Sequence, residues 1–282
     1  PDTRQTLIYA SRAHLAASLG IASLIFDKRG SGKSTGNAPY ELENLVMDGA
    51  SAVAALRRHP KIDAGRVGVG GFSQGGWVAP ALAGRDGAIA FVVVGSAPGI
   101  TPAEQNIFSL VSRLQADMGP DAVAAAADGL RQVYAYYRTG EGYTELMDRL
   151  GDQDTKAWSQ TPIFKRLLFT PDGEVAKNVE PGAYDTLFFD PLPYWEKISV
   201  PVFAVWGEED SNVPANQSRE LITERLPRNG LVTAIVYPGT GHGLDLENPA
   251  DGEYRFFRLN PDYLSALEKF LKGIAQSKTG EE

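Results

Sequence analysis

The stretch VGVGGFSQGGWVAP, Val67 to Pro80, changes character around a single serine. Val67 to Gly71 is short, apolar and β-prone, as a buried strand is, whereas Gln74 onward reads as a helix packed through Trp77, Val78 and Ala81. Ser73 sits at the switch. GFSQG, Gly71 to Gly75, fits G-x-S-x-G in the strand, serine, helix context that gives this motif its mechanical meaning. A turn that tight strains the backbone at the serine, and residues without side chains two before and two after it relieve the crowding. The competing reading is a glycine-rich turn with an incidental serine, and the flanking strand and helix argue against it.

A serine at its ordinary pKa is a poor nucleophile, so the motif calls for a histidine base and an acid to orient that base. The chain has three histidines. His14 falls within a helical pattern and His59 at the end of another, just before Pro60, where surface or capping roles explain them. His242 differs, because it lies in PGTGHGL after the last apolar β-type run, where glycines at 241 and 243 let a loop carry the ring to the carboxyl edge of a sheet. For the acid, WGEEDSNVP follows the strand-like VPVFAVW and offers Glu208, Glu209 and Asp210. Asp210 is the choice, since it comes just before the Asn212 to Pro214 turn into a helix; Glu208 and Glu209 read as surface charge, with an orienting role as the alternative.

Working outward, Leu7, Ala10, His14, Leu15 and Leu19 recur at helical spacing up to Gly20, and IASLIF, Ile21 to Phe26, then reads as a strand. Leu45 to Arg58 is helical, Arg66 to Gly70 strand, Gln74 to Ala83 helix and Ile89 to Gly95 strand. After a long gap, Val200 to Trp206 reads as strand, Ala215 to Leu226 as helix, Leu231 to Tyr237 as strand and Pro261 to Ile274 as the last helix. Such alternation implies parallel βαβ units and a sheet covered on both faces. Between Ser96 and Val200 the alternation stops. The alanine run Ala122 to Ala127, four tyrosines between 134 and 143, Trp158 and Phe164 to Phe169 suit helices and loops, so that segment is expected to be an inserted helical cap. The expected organisation is a core in two parts, 1–99 and 191–275, a cap over 100–190 and a frayed tail over 276–282.

With 282 residues, 43% of them hydrophobic, the chain can bury a substantial core. A net charge of −8 and a pI near 5.1 argue against a nucleic-acid surface or a polybasic membrane patch. No apolar run has membrane-spanning length, and Pro1 to Gly20 lacks the charged start and continuous apolar stretch of a signal peptide. The absence of cysteine removes disulfides, thiolate nucleophiles and thiolate metal sites, and three histidines leave little for another metal site. Neither metal nor cofactor is called for. RGSGKST, Arg29 to Thr35, invites a phosphate-loop reading, but the position five before Gly32 is Asp27 rather than glycine, and Gly36, Asn37 and Pro39 prolong the loop where a helix should begin.

DKRGSGKSTG after an early strand, GFSQGG at the turn, GEEDSNVP after a late strand and GTGHGL after the next together resemble the α/β-hydrolase superfamily, and within it bacterial serine esterases related to the dienelactone-hydrolase and prolyl-oligopeptidase-like branches. The resemblance covers nearly the whole chain. It implies an α/β-hydrolase fold with a mostly parallel sheet and an inserted cap, and a triad in the chain order Ser73, Asp210, His242. It also implies that Asp27 and Arg29 brace their loop, with Asp48 as an ion-pair partner for Arg29. The implied function is hydrolysis of a small-molecule carboxylic ester through an acyl-enzyme, with the backbone N–H of Gln74 as the first oxyanion donor. Thioester and peptide hydrolysis use the same residues, and a non-catalytic binding protein on a decayed hydrolase fold is the alternative of another class. In the superfamily the second oxyanion donor follows the third strand. Here the first helix begins within a few residues of Pro1, so the first strands are expected to be absent from this chain, and a complementing N-terminal segment is expected to supply them with that donor.

Overall fold

The computed structural model describes residues 3–36, 41–152, 155–227, 231–246 and 258–277. The expected frayed end lies outside the described residues from 278 onward. The chain divides into two compact units, one formed by Pro1–Gly99, Pro191–Asp210 and Ala215–Glu282, the other by Ile100–Asp190 with Ser211–Pro214.

The first unit is built on a parallel sheet, with four strands among the described residues in the order β1 (Val69–Phe72), β2 (Val92–Gly95), β3 (Val202–Gly207) and β4 (Val232–Tyr237). Register runs Val69 against Val92 and Val92 against Val202, so Phe72, Gly95 and Val205 fall on one row. Helices α1 (Thr3–Ser18) and α11 (Pro261–Gln276) cover one face, where Ile8, Ala16, Tyr263, Leu267 and Leu271 pack on Phe72, Val93, Phe203 and Val205. Against the sheet lie also α3 (Gly75–Ala83), backed by α2 (Leu42–Arg57), and α10 (Ala215–Arg225), backed by the short α9 (Leu192–Trp195). Every residue of β3 is buried, which explains why its sequence is continuously apolar rather than alternating. Its larger side chains, Val202, Phe203 and Val205, each contribute about 1.5–3 kcal/mol on removal from water.

Several strand expectations need correction: β2 and β3 begin at Val92 and Val202 rather than at Ile89 and Val200. Val67 and Gly68 do not begin β1, because Asp63 accepts the N–H of Gly65 and caps a 3-10 turn over Ala64–Arg66, which delays the strand to Val69. More consequentially, Ile21 to Phe26 is not a strand. Gly20, at φ 74°, ends α1, and Ile21 packs on the α1 face of the sheet, but the chain then runs without a ladder partner and leaves Leu24 40%, Ile25 55% and Phe26 47% exposed. A strand is defined by hydrogen bonds to a neighbour, and β1, the outermost strand, pairs only with β2 among the described residues.

The second unit is helical. It comprises α4 (Pro102–Leu114), α5 (Pro120–Thr139), α6 (Tyr143–Gly151), α7 (Lys156–Ser159), α8 (Pro162–Arg166) and a 3-10 turn at Asp185–Phe188. Thr101 and Glu104 close a reciprocal capping box at the start of α4, and Gly140, at φ 74°, ends α5. Leu110, Leu130, Val133, Trp158 and Phe164 form its core. The tyrosines join that core by satisfying their hydroxyls, Tyr134 donating to the Leu167 carbonyl (3.0 Å) and Tyr137 to that of Leu168 (2.8 Å), while Tyr184 stacks on Tyr137 at 4.0 Å. Ser211–Pro214 belongs here because α4 grips Asn212: Gln105 Nε2 donates to its carbonyl (2.6 Å), and Ser109 Oγ (3.2 Å) and Arg113 Nη2 (2.6 Å) donate to its Oδ1.

Candidate active site

Ser73 occupies the single residue between β1 and the Gln74 cap of α3, with φ 53°. Left-handed backbone at a non-glycine residue costs about 1–2 kcal/mol and needs support from its surroundings. Support comes from the Ser73 N–H, which donates to the Gly95 carbonyl (2.9 Å), and from the Gly76 N–H, which donates to the Ser73 carbonyl (2.7 Å). Space dictates two of the glycines: a Cβ on Gly71 would lie 2.0 Å from the Gly75 carbonyl oxygen, and one on Gly76 2.5 Å from the Ala97 Cα, whereas one on Gly75 would meet only the Tyr9 hydroxyl at 3.6 Å, so the expected crowding two residues after Ser73 falls three residues after it instead. The turn therefore holds the Ser73 hydroxyl at the carboxyl end of the sheet.

The other two sequence-predicted residues arrive there on neighbouring loops. His242 follows β4 in a loop closed by the Gly241 N–H donating to the Asp245 carbonyl (2.8 Å) and by Asn260 Nδ2 donating to Thr240 Oγ1 (2.8 Å). Asp210 follows β3 in a loop that leans on the first, Glu209 N–H donating to the Thr240 carbonyl (2.9 Å). His242 Nε2 lies 2.9 Å from Ser73 Oγ, and His242 Nδ1 lies 2.7 Å from Asp210 Oδ2. The Asp210 side chain is fully buried and meets the imidazole, whereas Glu208 and Glu209 are exposed. An ionised carboxylate at that distance fixes the tautomer, with the proton on Nδ1 and the Nε2 lone pair turned to the serine hydroxyl. His14 and His59 are exposed and take no part.

The Gln74 N–H finds no acceptor among the described residues and stands at the start of α3, where the helix dipole favours negative charge. The Gln74 side chain accepts from Lys28 Nζ (2.5 Å), whose pKa burial pushes down from its ordinary value. The loop preceding it braces itself. The Asp27 carboxylate accepts the Lys33 N–H (2.9 Å), Ser34 Oγ donates to the Asp27 carbonyl (2.7 Å), and Arg29 makes a bidentate pair with Asp48 (2.5 and 2.8 Å). A carboxylate thus occupies the place a phosphate would need in RGSGKST, and its charge would repel one.

Three supports escaped sequence reasoning. Ser96, fully buried, donates from Oγ to the His242 carbonyl (2.8 Å). Phe72 sets its ring 5.3 Å from the imidazole. Gly207 lies where a Cβ would come within 2.2 Å of the Thr240 carbonyl oxygen, which lets the loops carrying Asp210 and His242 cross. A glycine ending a buried strand was the available signal for the last.

The sequence model of the alpha/beta hydrolase family matches residues 6–252. The chain belongs to that family. Structural neighbours agree with this in fold. The hydrolase is similar to the monoacylglycerol lipase of Paleococcus ferrophilus (20% identity, TM-score 0.53, 94% of this chain and 89% of that one covered). It is similar also to a thermophilic esterase of Thermogutta terrifontis (19%, 0.52, 95% and 86%) and to an esterase of Pyrococcus furiosus (17%, 0.57, 94% and 75%). No curated protein matches the sequence. Among its described residues the hydrolase has no helix long and apolar enough to cross a membrane.

Proposed function

We propose that this hydrolase is a serine carboxylic-ester hydrolase working through an acyl-enzyme. The observation that carries the reading is the unbroken chain from the buried Asp210 carboxylate through both ring nitrogens of His242 to the Ser73 hydroxyl, 2.7 and 2.9 Å long, on a strand-to-helix turn. Ser73 Oγ attacks the ester carbonyl while His242 Nε2 takes its proton. The same nitrogen returns that proton to the departing alcohol, then removes one from the water that releases the acid and regenerates Ser73. Asp210 holds the Nδ1 proton throughout and offsets the transient imidazolium charge. The Gln74 N–H donates to the oxyanion.

A second element of the reading rests on the edge of β1, which pairs only with β2 among the described residues, and on the exposed, apolar Leu24 to Phe26, which join no strand there. A β-strand from a complementing polypeptide segment pairs there and brings the second oxyanion donor, whose loss would slow acylation by roughly 10²–10³-fold without abolishing it. The decisive experiment is labelling of the purified protein with a fluorophosphonate, with intact mass measured on the same sample. The expected result is one adduct, on Ser73, absent from Ser73→Ala. An unlabelled parent protein, or equal labelling of the alanine variant, overturns the mechanism; a bound second polypeptide that accelerates labelling supports the complementing strand.

A further inference from the structure

The face of the sheet under α1 is apolar and aromatic except for a guanidinium. Arg12 extends from α1 among Ile8, Phe72, Leu244 and Tyr263. Its Nε donates to the Tyr263 hydroxyl (2.6 Å) and its Nη1 to the Gly71 carbonyl (3.2 Å). Its Nη2 is enclosed and finds no acceptor among the described residues. The guanidinium carbon stands 5.9 Å from the centre of the Phe72 ring and 5.7 Å from that of Tyr263, so two aromatic faces take the place of a counter-ion. Room for it exists only because residue 95 is glycine: a Cβ there would come within 2.5 Å of Nη2.

For folding alone this is a poor arrangement. A cation partly withdrawn from water, with one enclosed nitrogen unbonded and no carboxylate beside it among the described residues, is a burden that an apolar chain of similar length would remove. The groups in contact with the guanidinium suggest why it is there. Gly71 and Phe72 are the two residues before Ser73, the Gly95 carbonyl accepts the Ser73 N–H, and the Phe72 ring lies tilted against that of His242. One rigid fork thus contacts both strands that define the turn, together with the ring that abuts the base. The turn is in a left-handed conformation that persists only where several neighbours impose it.

We propose that Arg12 is a positioning residue for the nucleophile, bracing the Ser73 turn and the Phe72 ring from behind the sheet at a cost in stability. The inference rests on the esterase reading. It assigns to Arg12 opposite effects on folding and on acylation, which a residue serving only to fill the core does not have. The test is Arg12→Met and Arg12→Lys in the whole protein. Thermal unfolding, the fluorophosphonate labelling rate, and kcat and KM on a 4-nitrophenyl ester are measured for each. Arg12→Met is expected to melt no lower than the parent protein while its labelling rate and kcat fall roughly tenfold to a hundredfold at unchanged KM, the scale of a small misplacement of reacting groups. Arg12→Lys, which keeps one donor, is expected to recover part of the loss. A lower melting temperature or failure to fold in Arg12→Met, or parental labelling and kcat in that variant, overturns the inference while leaving the esterase reading standing. An unlabelled parent protein overturns both.

Discussion

Two serines of this protein share a backbone and differ in everything else. Ser73 follows β1 and Ser96 follows β2; both are left-handed, at φ 53° and 48°, and each donates its N–H to a carbonyl of the next strand, Gly95 for one (2.9 Å) and Val205 for the other (2.7 Å). Their C-terminal neighbours separate them. Gln74-Gly75-Gly76 starts a helix at once and leaves the Ser73 hydroxyl half-buried against the imidazole, whereas Ala97-Pro98-Gly99 delays the next helix and leaves Ser96 wholly enclosed, its hydroxyl given to the carbonyl of His242. The pair grips the same histidine at two ends, one at the ring and one at the backbone. Strained geometry alone therefore does not make a nucleophile; an accessible hydroxyl beside a base does.

The comparison can be broken most forcefully at the ring end. On the proposed reading, Ser73→Ala or His242→Ala lowers ester hydrolysis by roughly 10⁵–10⁶-fold, with melting little changed, while His14→Ala and His59→Ala stay within about twofold of parent activity. Steady-state kinetics on purified variants check this, and an equal loss at either exposed histidine would show the base to be misassigned. At the backbone end the effect is smaller and of another kind. Ser96→Ala strips the His242 carbonyl of its donor and is expected to lower stability by about 1 kcal/mol in urea unfolding. Its activity should fall only about tenfold, through a loosened His242. Unchanged stability would mean that the Ser96 hydroxyl latches nothing. The smallest effect concerns the shared strain. Ser73→Gly relieves the φ penalty without leaving a buried acceptor and is expected to gain up to about 1 kcal/mol, whereas in Ser96→Gly the lost hydrogen bond cancels the relief. Equal shifts for the two glycine variants would erase the distinction.

The residues proposed for chemistry were legible because each is announced by its own neighbours: glycines around Ser73 and His242, and the turn after Asp210. Ser96, Arg12 and Gly207 were not, since their partners lie far away in sequence, at His242, Tyr263 and Thr240, and no local pattern encodes such meetings. The same division explains the strands. IASLIF and VPVFAVW are alike in composition, yet Val202–Gly207 is buried between two partners and Leu24 to Phe26 stands in water. Strand character in a sequence records what the side chains can pack against, and the ladder has to be supplied from elsewhere. The family was legible from motif order, whereas the failure of Ile21 to Phe26 to form a strand was not.

The phenols buried in the helical unit give the protein an alkaline limit. Burial pushes the hydroxyls of Tyr134, Tyr137 and Tyr184 above their ordinary range, while Tyr237 in the first unit is pushed up to about 12. Such groups keep their protons in the native state after the unfolded chain has begun to release them near pH 10, so the stability they contribute is complete below that pH and drains away as it rises. Around Tyr134 and Tyr137, whose protons are held by the Leu167 and Leu168 carbonyls, ionisation requires the helices to open. The helical unit therefore loses stability as the pH rises past that point. An alkaline titration followed by phenolate absorbance and circular dichroism should show an early, gradual ionisation of the less buried tyrosines with helix intact, then a steep rise in phenolate that coincides with helix loss. Complete ionisation with the helical signal unchanged would mean that those hydroxyls reach solvent without unfolding.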